Sequence, residues 1–266
     1  ALSEILRHHG DETVQYDVIS GIGVGAINGA HLSSFEKGQE DTAADSLISL
    51  WRGLTVSEVY KSWRWGGIVR GLLFETGIYD NTPLKTYLKS HIKSPKREFY
   101  YGLVNSKTGQ FVSKNHESDF NQYLLGIIGS ASFPGVFPTL DELDGTTYYD
   151  GAVGRSVNIA DAVNNCKKLV GGDESKVTID IIMNSGGTFN VKDASTFKAL
   201  RMGLRYLEIQ LYYRSMDLLI RAKAAYPKLN FRYVVAPTNK LEGGLLPFTF
   251  DAAQIESNIN KGVRDA

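Results

Sequence analysis

The sequence feature that most constrains the fold is a short apolar run that leads directly into a glycine-rich turn. Residues 16–20, YDVIS, are followed by GIGVG and then by the small residues AINGAHLSS. This order predicts a strand, a tight turn and a helix. A hairpin is predicted over residues 97–114, and further strands at residues 146–150, 177–184 and 231–236, with helical patterns between them. The pattern is typical of the α/β class.

Size and composition limit the architecture and exclude several functions. At 266 residues with 42% hydrophobic residues, the chain can bury one core of ordinary size, so we predict a single domain over residues 1–266. Lysine and arginine together number 29, as do aspartate and glutamate. With no net charge to attract nucleic acid, we expect no nucleic-acid partner.

The cysteine content and the apolar runs indicate where the protein acts. The single cysteine, Cys166, cannot form an internal disulfide, which fits a reducing compartment. No Cys/His cluster has the spacing of a metal site, and no apolar run reaches the roughly 18 residues that span a bilayer. We therefore expect a cytoplasmic protein without a metal, either free or peripheral to a membrane.

The glycine turn at residues 21–25 is compatible with more than one kind of site. A phosphate-binding loop is excluded, because the residues after the turn supply neither its lysine nor its serine or threonine. A dinucleotide-binding turn, and with it an oxidoreductase, is a weaker alternative, because Gly21, Gly23 and Ala26 match GxGxxA. That site needs an acidic residue at the end of a second strand, and the polar residues 36–46 predict no such strand.

The third interpretation of the turn is a nucleophile elbow, G-x-S-x-G. In such an elbow, a sharp strand-to-helix turn lifts the central side chain above the sheet. Gly21 and Gly25 are the flanking glycines, which we expect to relieve crowding around the apex, but the apex residue is Gly23 rather than serine. The backbone N–H of Val24 is a candidate donor to the oxyanion that forms during ester hydrolysis.

A carboxylate for this site is available at Asp150, which ends a predicted strand and stands directly before Gly151 and Ala152. A Ser-Asp-His triad in the order of α/β-hydrolases needs a histidine after the acid. All five histidines precede it in the chain: His8, His9, His31, His91 and His116. What remains is a two-residue site, in which an aspartate with a raised pKa takes the proton of the nucleophile itself.

Four separated motifs carry a resemblance to a known family. YDVISGIGVGAINGA, GSASFPGVFP, YYDGAVGRSVN and FDAAQIESNINKGVRDA together resemble the patatin-like phospholipases, a family of Ser-Asp dyad lipid acyl hydrolases. The resemblance implies a three-layer α/β/α sandwich with a mixed, mostly parallel central sheet. It assigns the nucleophile to position 23, the base to Asp150 and the D-G-A/G motif to Asp150, Gly151 and Ala152. The implied substrate is a lipid or phospholipid, and no cofactor is needed.

The sequence departs from the family pattern in two places. Gly23 has no hydroxyl, so the chain as written is expected to be inactive. The glycine-rich oxyanion loop and the strand that family members carry before the first helix are expected to be missing upstream of Ala1. Because Asp150 and the flanking features remain, we favour an engineered inactive form. The alternative is a natural pseudoenzyme that binds lipid or a partner without turnover.

A segment between the elbow and the hairpin suggests where a lipid would meet the protein. Residues 60–74, YKSWRWGGIVRGLLF, mix aromatic, basic and apolar residues around three glycines. This mixture suits a bilayer interface or a mobile lid, and the alternative is a loop that covers the core. The residues expected at the interface are Trp63, Trp65, Leu72, Leu73 and Phe74.

Overall fold

The computed structural model of the chain describes residues 1–9, 14–116, 119–141, 143–185, 187–189, 191–242 and 251–266. Within these residues, six strands form two sheets. The strands are Val18–Ile22 (β1), Glu98–Asn105 (β2), Phe111–Asn115 (β3), Tyr148–Asp150 (β4), Thr178–Ile182 (β5) and Asn230–Val235 (β6). The predicted hairpin and the other predicted strands are confirmed, with bounds shifted by a few residues.

Ten α-helices accompany these strands in the described residues. They are Leu2–His9 (α1), Val24–Ser33 (α2), Glu40–Arg52 (α3), Val56–Val59 (α4), Gly67–Phe74 (α5), Thr82–His91 (α6), Phe120–Ser130 (α7), Ile159–Leu169 (α8), Ala199–Ala225 (α9) and Ala252–Arg264 (α10). No described helix combines the length and the apolar character that crossing a membrane requires.

The first sheet is built around β2, and its topology positions the site. β1 runs parallel to β2, and β3 pairs antiparallel with the opposite edge of β2. β4 is antiparallel to β2 and shares the edge of β1, beyond the point where β1 ends. The carboxyl ends of β1 and β4 therefore meet at neighbouring residues of β2. Ile22 lies opposite Gly102, and Asp150 lies opposite Leu103.

The second sheet consists of β5 and β6, which are parallel. Over the whole described structure the strand pairings divide equally between parallel and antiparallel. The mixed sheet is as predicted, but its antiparallel share is larger than expected, because the hairpin strand β3 and the returning strand β4 both pair with β2.

Helices cover both faces of the first sheet. Gly29 of α2 lies so close to the sheet that a Cβ there would be 2.5 Å from the ring of Phe99. On the opposite face, the Ser20 hydroxyl of β1 donates a hydrogen bond to the carbonyl of Asn158, the residue before α8. Since successive strand residues face opposite sides, the arrangement is the predicted α/β/α sandwich.

The buried apolar residues form three clusters around these layers. The largest lies between the first sheet and the helices α2, α6 and α7. A second joins α8, β5, β6 and the C-terminal half of α9, and a third lies between α1 and α3. In the N-terminal half of α9, Met202, Tyr206 and Leu207 are exposed. The buried apolar contacts of α9 therefore come from its second half.

Candidate active site

A tight turn at Gly23 joins β1 to α2, at the position where the sequence predicts an elbow. β1 ends at Ile22, α2 begins at Val24, and Gly23 between them has φ 60° and ψ −129°. A positive φ of this kind is adopted at low cost only by glycine. A Cβ at Gly21 would lie 2.1 Å from the carbonyl oxygen of Gly25, so position 21 must be glycine. Gly25 is different, since a Cβ there would meet nothing within 4 Å, and the expected crowding holds on one side only.

Ser130, the last residue of α7, holds the turn at Gly23 through hydrogen bonds of its hydroxyl group. Its hydroxyl accepts a hydrogen bond from the Gly23 N–H at 3.1 Å and donates one to the Gly102 carbonyl at 2.6 Å. The side chain is fully buried. Ser130 thus connects the turn to β2, and sequence reasoning missed this role because its partners lie far away in the chain.

Asp150 is held at the end of β4 by backbone contacts. Its N–H donates to the Ser132 carbonyl at 3.1 Å, and its Oδ1 accepts from the Ala152 N–H at 2.8 Å. A Cβ at Gly151 would lie 2.4 Å from the Gly102 carbonyl oxygen, so close packing against β2 requires glycine directly after the aspartate. The carboxylate itself is buried, with 7% of the residue exposed.

The elbow and the carboxylate are brought together by the meeting of β1 and β4. A Cβ built on Gly23 would lie 3.3 Å from Oδ1 and 3.5 Å from Oδ2 of Asp150. A side chain at position 23 therefore points at the carboxylate, and a hydroxyl one bond beyond its Cβ comes within hydrogen-bonding reach.

The environment of Asp150 makes it a proton acceptor near neutral pH. Removal from water raises the pKa of Asp150 to about 7, and the hydrogen bond from the Ala152 N–H opposes only part of this increase. Among the described residues, no charged side chain and no histidine contributes to the shift. The carboxylate can therefore exist in both protonation states around pH 7, as a general base requires.

The start of α2 offers a donor for a developing negative charge. The first N–H groups of a helix have no acceptor within the helix, and the helix dipole places partial positive charge at this end. Val24 is the first residue of α2 and follows the apex directly. Its N–H is thus available to an oxyanion beside position 23.

The five residues expected at a lipid interface separate into two groups. Trp65, Leu72, Leu73 and Phe74 are exposed. Trp63 is half-buried, its indole N–H donates to the Gly77 carbonyl at 3.0 Å, and it faces the protein.

A cavity of about 200 Å³ lies beside Trp63, and its lining includes neither Gly23 nor Asp150. Its wall includes Ser132 and Leu140. Since the Ser132 carbonyl accepts the hydrogen bond of the Asp150 N–H, this cavity adjoins the backbone that carries the carboxylate.

Comparison with known proteins assigns the chain to a family. No curated protein matches the chain. Residues 1–163 match the family model described as patatin-like phospholipase. The matched region includes β1, the elbow, Ser130, Asp150 and the start of α8, and it covers more than half of the chain. The chain belongs to the patatin-like phospholipase family, whose members act on lipids.

Proposed function

We propose that this fold is the scaffold of a lipid acyl hydrolase of the phospholipase A or esterase type, with the nucleophile at position 23 and Asp150 as the base. The observation that carries the proposal is the 3.3 Å between a Cβ at position 23 and Oδ1 of the buried Asp150. The family membership of the chain supports the same reaction class.

The reaction of a form with serine at position 23 follows from this geometry. The Asp150 carboxylate accepts the hydroxyl proton while the hydroxyl oxygen attacks the ester carbonyl carbon. The Val24 N–H donates to the carbonyl oxygen as it becomes negatively charged. When the tetrahedral intermediate collapses, the leaving alcohol takes the proton from Asp150 and the acyl group stays on the serine. Water then attacks the acyl carbon while Asp150 takes one of its protons. The bond from the acyl carbon to the serine oxygen breaks, Asp150 returns the proton to that oxygen, and the fatty acid leaves.

The chain as written cannot form this acyl intermediate, because Gly23 has no hydroxyl. It is expected to bind lipid without turnover, either as an inactivated enzyme or as a pseudoenzyme. The intact contacts of Asp150 and Ser130 favour inactivation of a working site, because a long-unused site has no need of a buried carboxylate.

We propose a cytoplasmic protein with a peripheral membrane contact.

Hydrolysis assays on four forms test the proposal. The parent, Gly23→Ser, Gly25→Ser and Gly23→Ser combined with Asp150→Asn are compared on a short soluble ester and on a phospholipid. We expect turnover from Gly23→Ser alone. Gly25→Ser is the matched control, because it adds a hydroxyl one residue beyond Val24 in a position with free space. All four forms carry any oxyanion loop that belongs upstream of Ala1. If Gly23→Ser is then inactive on both substrates, or active without the carboxylate, the assigned site is wrong.

A further inference from the structure

Six large exposed apolar side chains of the described structure are concentrated in one short stretch, residues 65–74, called here the 65–74 segment. It consists of Trp65, a two-glycine turn and the helix α5. Trp65 and Phe74 are each 79% exposed. The other large apolar side chains of the segment are also exposed: Ile68, Val69, Leu72 and Leu73. A helix that presents apolar side chains on almost every side is unfavourable in water, and such patches mark interaction sites.

The 65–74 segment has little buried contact with the rest of the protein. Its only buried residue is Gly71, where a Cβ would lie 2.4 Å from the Ile78 carbonyl oxygen. Residue 78 in turn donates its N–H to the Gly135 carbonyl at 3.1 Å, close to the chain that leads to Ser132 and the candidate active site. The exposed surface therefore protrudes from the protein but is connected to the site by backbone contacts.

Trp65 is held in a strained conformation that points to a function for its side chain. Its φ is 59°, and it is the only non-glycine residue with a positive φ in the part of the chain that the structure describes. For a bulky residue this is an unusual conformation, which persists only where something else favours it. Glycine would adopt this φ at lower cost, so the presence of tryptophan at residue 65 indicates a role for its indole ring.

The charges around the segment identify the kind of surface it meets. Residues 60–75 contain three basic residues. Arg70 is paired with Glu75 at 2.7 Å and Lys61 with Asp80 at 3.3 Å, so the positive charge in excess is that of Arg64. The chain as a whole has no net charge, so this positive excess is local. The Arg64 guanidinium lies 5.7 Å from the centre of the Trp65 ring. Aromatic and apolar side chains with adjacent cations match the boundary between acyl chains and anionic headgroups.

We propose that the 65–74 segment is a membrane anchor, which inserts Trp65 and the apolar side chains of α5 into the surface of a bilayer that contains anionic lipid. A shallow open basin of about 470 Å³ between Trp65 and Phe74 gives acyl chains a further apolar contact. The inference rests on the lipid-directed function proposed above, but it concerns a different part of the molecule. Trp63, which donates to the Gly77 carbonyl, is not part of the anchor.

Vesicle partition of the parent chain tests the anchor without interference from hydrolysis, because Gly23 provides no nucleophile. Phosphatidylcholine vesicles with and without phosphatidylserine are mixed with protein and sedimented. We expect stronger partition with phosphatidylserine. Trp65→Gly is expected to fold, since glycine favours the φ of residue 65. It should lower the partition coefficient by about tenfold to a hundredfold, the loss of one large apolar anchor.

A pair of double variants provides the matched control. Leu72→Ser with Leu73→Ser removes side chains that are 63% and 68% exposed, whereas Leu169→Ser with Ile220→Ser removes side chains that are 61% and 67% exposed elsewhere. Only the first pair should abolish partition. No partition by the parent, equal loss in both pairs, or equal binding without phosphatidylserine would overturn the proposal. A parent dimer that is lost only in the first pair, without vesicle binding, would instead identify a self-association surface.

Tryptophan fluorescence reports which residue inserts. The chain has three tryptophans, and the indole N–H groups of Trp51 and Trp63 donate to Asn28 and Gly77 within the protein. A blue shift on vesicle binding should therefore come from Trp65 and be absent in Trp65→Phe. A shift that persists in Trp65→Phe would place another tryptophan in the bilayer and contradict the proposal. Because no step requires turnover, this result is independent of the hydrolase assignment.

Discussion

At residue 23 the chemistry and the backbone make opposite demands. The proposed acyl transfer needs a hydroxyl there, while φ of 60° and ψ of −129° favour glycine. A non-glycine residue held in such a region costs about 1–3 kcal/mol, and elbows with serine at the apex carry this strain. In this chain the backbone at Gly23 is unstrained, and the hydroxyl that the proposed reaction needs is absent.

Gly23→Ser should therefore destabilise the protein while it supplies the proposed nucleophile. We expect a loss of about 1–3 kcal/mol from the backbone. Thermal unfolding should show a melting temperature lower by several degrees. Gly25→Ser, in the same turn but with free space around its Cβ, should be neutral or slightly stabilising. Equal melting temperatures for the two variants would mean that the elbow is not strained.

Asp150 links the stability of the fold to pH. Its pKa is raised to about 7 in the folded protein, so the folded state holds the proton more tightly than the unfolded state. The stability that this proton contributes is complete below pH 4 and is lost as the pH rises to about 7. Asp150→Asn removes this dependence.

The parent and Asp150→Asn should therefore diverge in stability as the pH rises. Between pH 4 and pH 8 the parent should lose a few kcal/mol relative to the variant, the order of magnitude that a shift of this size implies. Urea unfolding of both proteins across this range measures the difference. Parallel curves would show that the carboxyl group is not desolvated.

The residues of the site were predictable to different degrees. The glycine at 21 and the aspartate at 150 follow from motif spacing, since each is tied to a local turn. Ser130 gave no signal, because its hydrogen bonds reach Gly23 and Gly102 in other elements. Spacing also predicted crowding at Gly25 that the structure does not show, since the turn brings only Gly21 against backbone.

At the scale of elements, glycines set how closely the helices approach the sheet. A Cβ at Gly126 of α7 would lie 2.2 Å from the Tyr101 hydroxyl oxygen, and one at Gly29 of α2 would lie 2.5 Å from the Phe99 ring. These contacts bring α2 and α7 against the sheet and so place the apex and Ser130 beside β2. The close packing of α2 and α7 against the first sheet therefore determines where Gly23 and Ser130 lie.

Gly126→Ala should test this packing against a matched helical glycine. Gly203 of α9 is exposed, and a Cβ there would meet nothing within 4 Å. Gly203→Ala should stabilise the protein by up to about 1 kcal/mol through helix propensity. Gly126→Ala should destabilise it, by an overpacking cost of about 1–3 kcal/mol. The comparison is made by urea unfolding, and a gain in both variants would mean that α7 does not press on Tyr101.

The elements themselves were largely predictable because their signals are local. Alternating or apolar runs gave β1 to β6, and helical spacing gave the longer helices. The burial of α9 was not predictable, because the same apolar spacing runs through a buried half and an exposed half. Likewise, Trp63 and Trp65 are two residues apart in similar local sequence. Only tertiary contacts determine that the Trp63 ring faces the protein while the Trp65 ring is exposed.

At the scale of the whole molecule, the site depends on a topology that no local pattern specifies. β1 and β4 enter the same edge of β2 from opposite directions, and their ends meet where Ile22 and Asp150 face neighbouring residues. More than a hundred residues separate these strands in the chain. The sequence motifs identify position 23 and Asp150 as the two partners. Only the pairing of β1 and β4 with β2 sets the distance between them.

The most direct test of this account is covalent labelling with a fluorophosphonate, followed by mass-spectrometric mapping of the modified residue. The parent chain should carry no label at position 23. Gly23→Ser should be labelled at position 23, and adding Asp150→Asn should slow the labelling by about 10²-fold or more, the contribution of a general base. Absence of label from Gly23→Ser, or labelling at the same rate without the carboxylate, would contradict the assigned pairing of position 23 with Asp150.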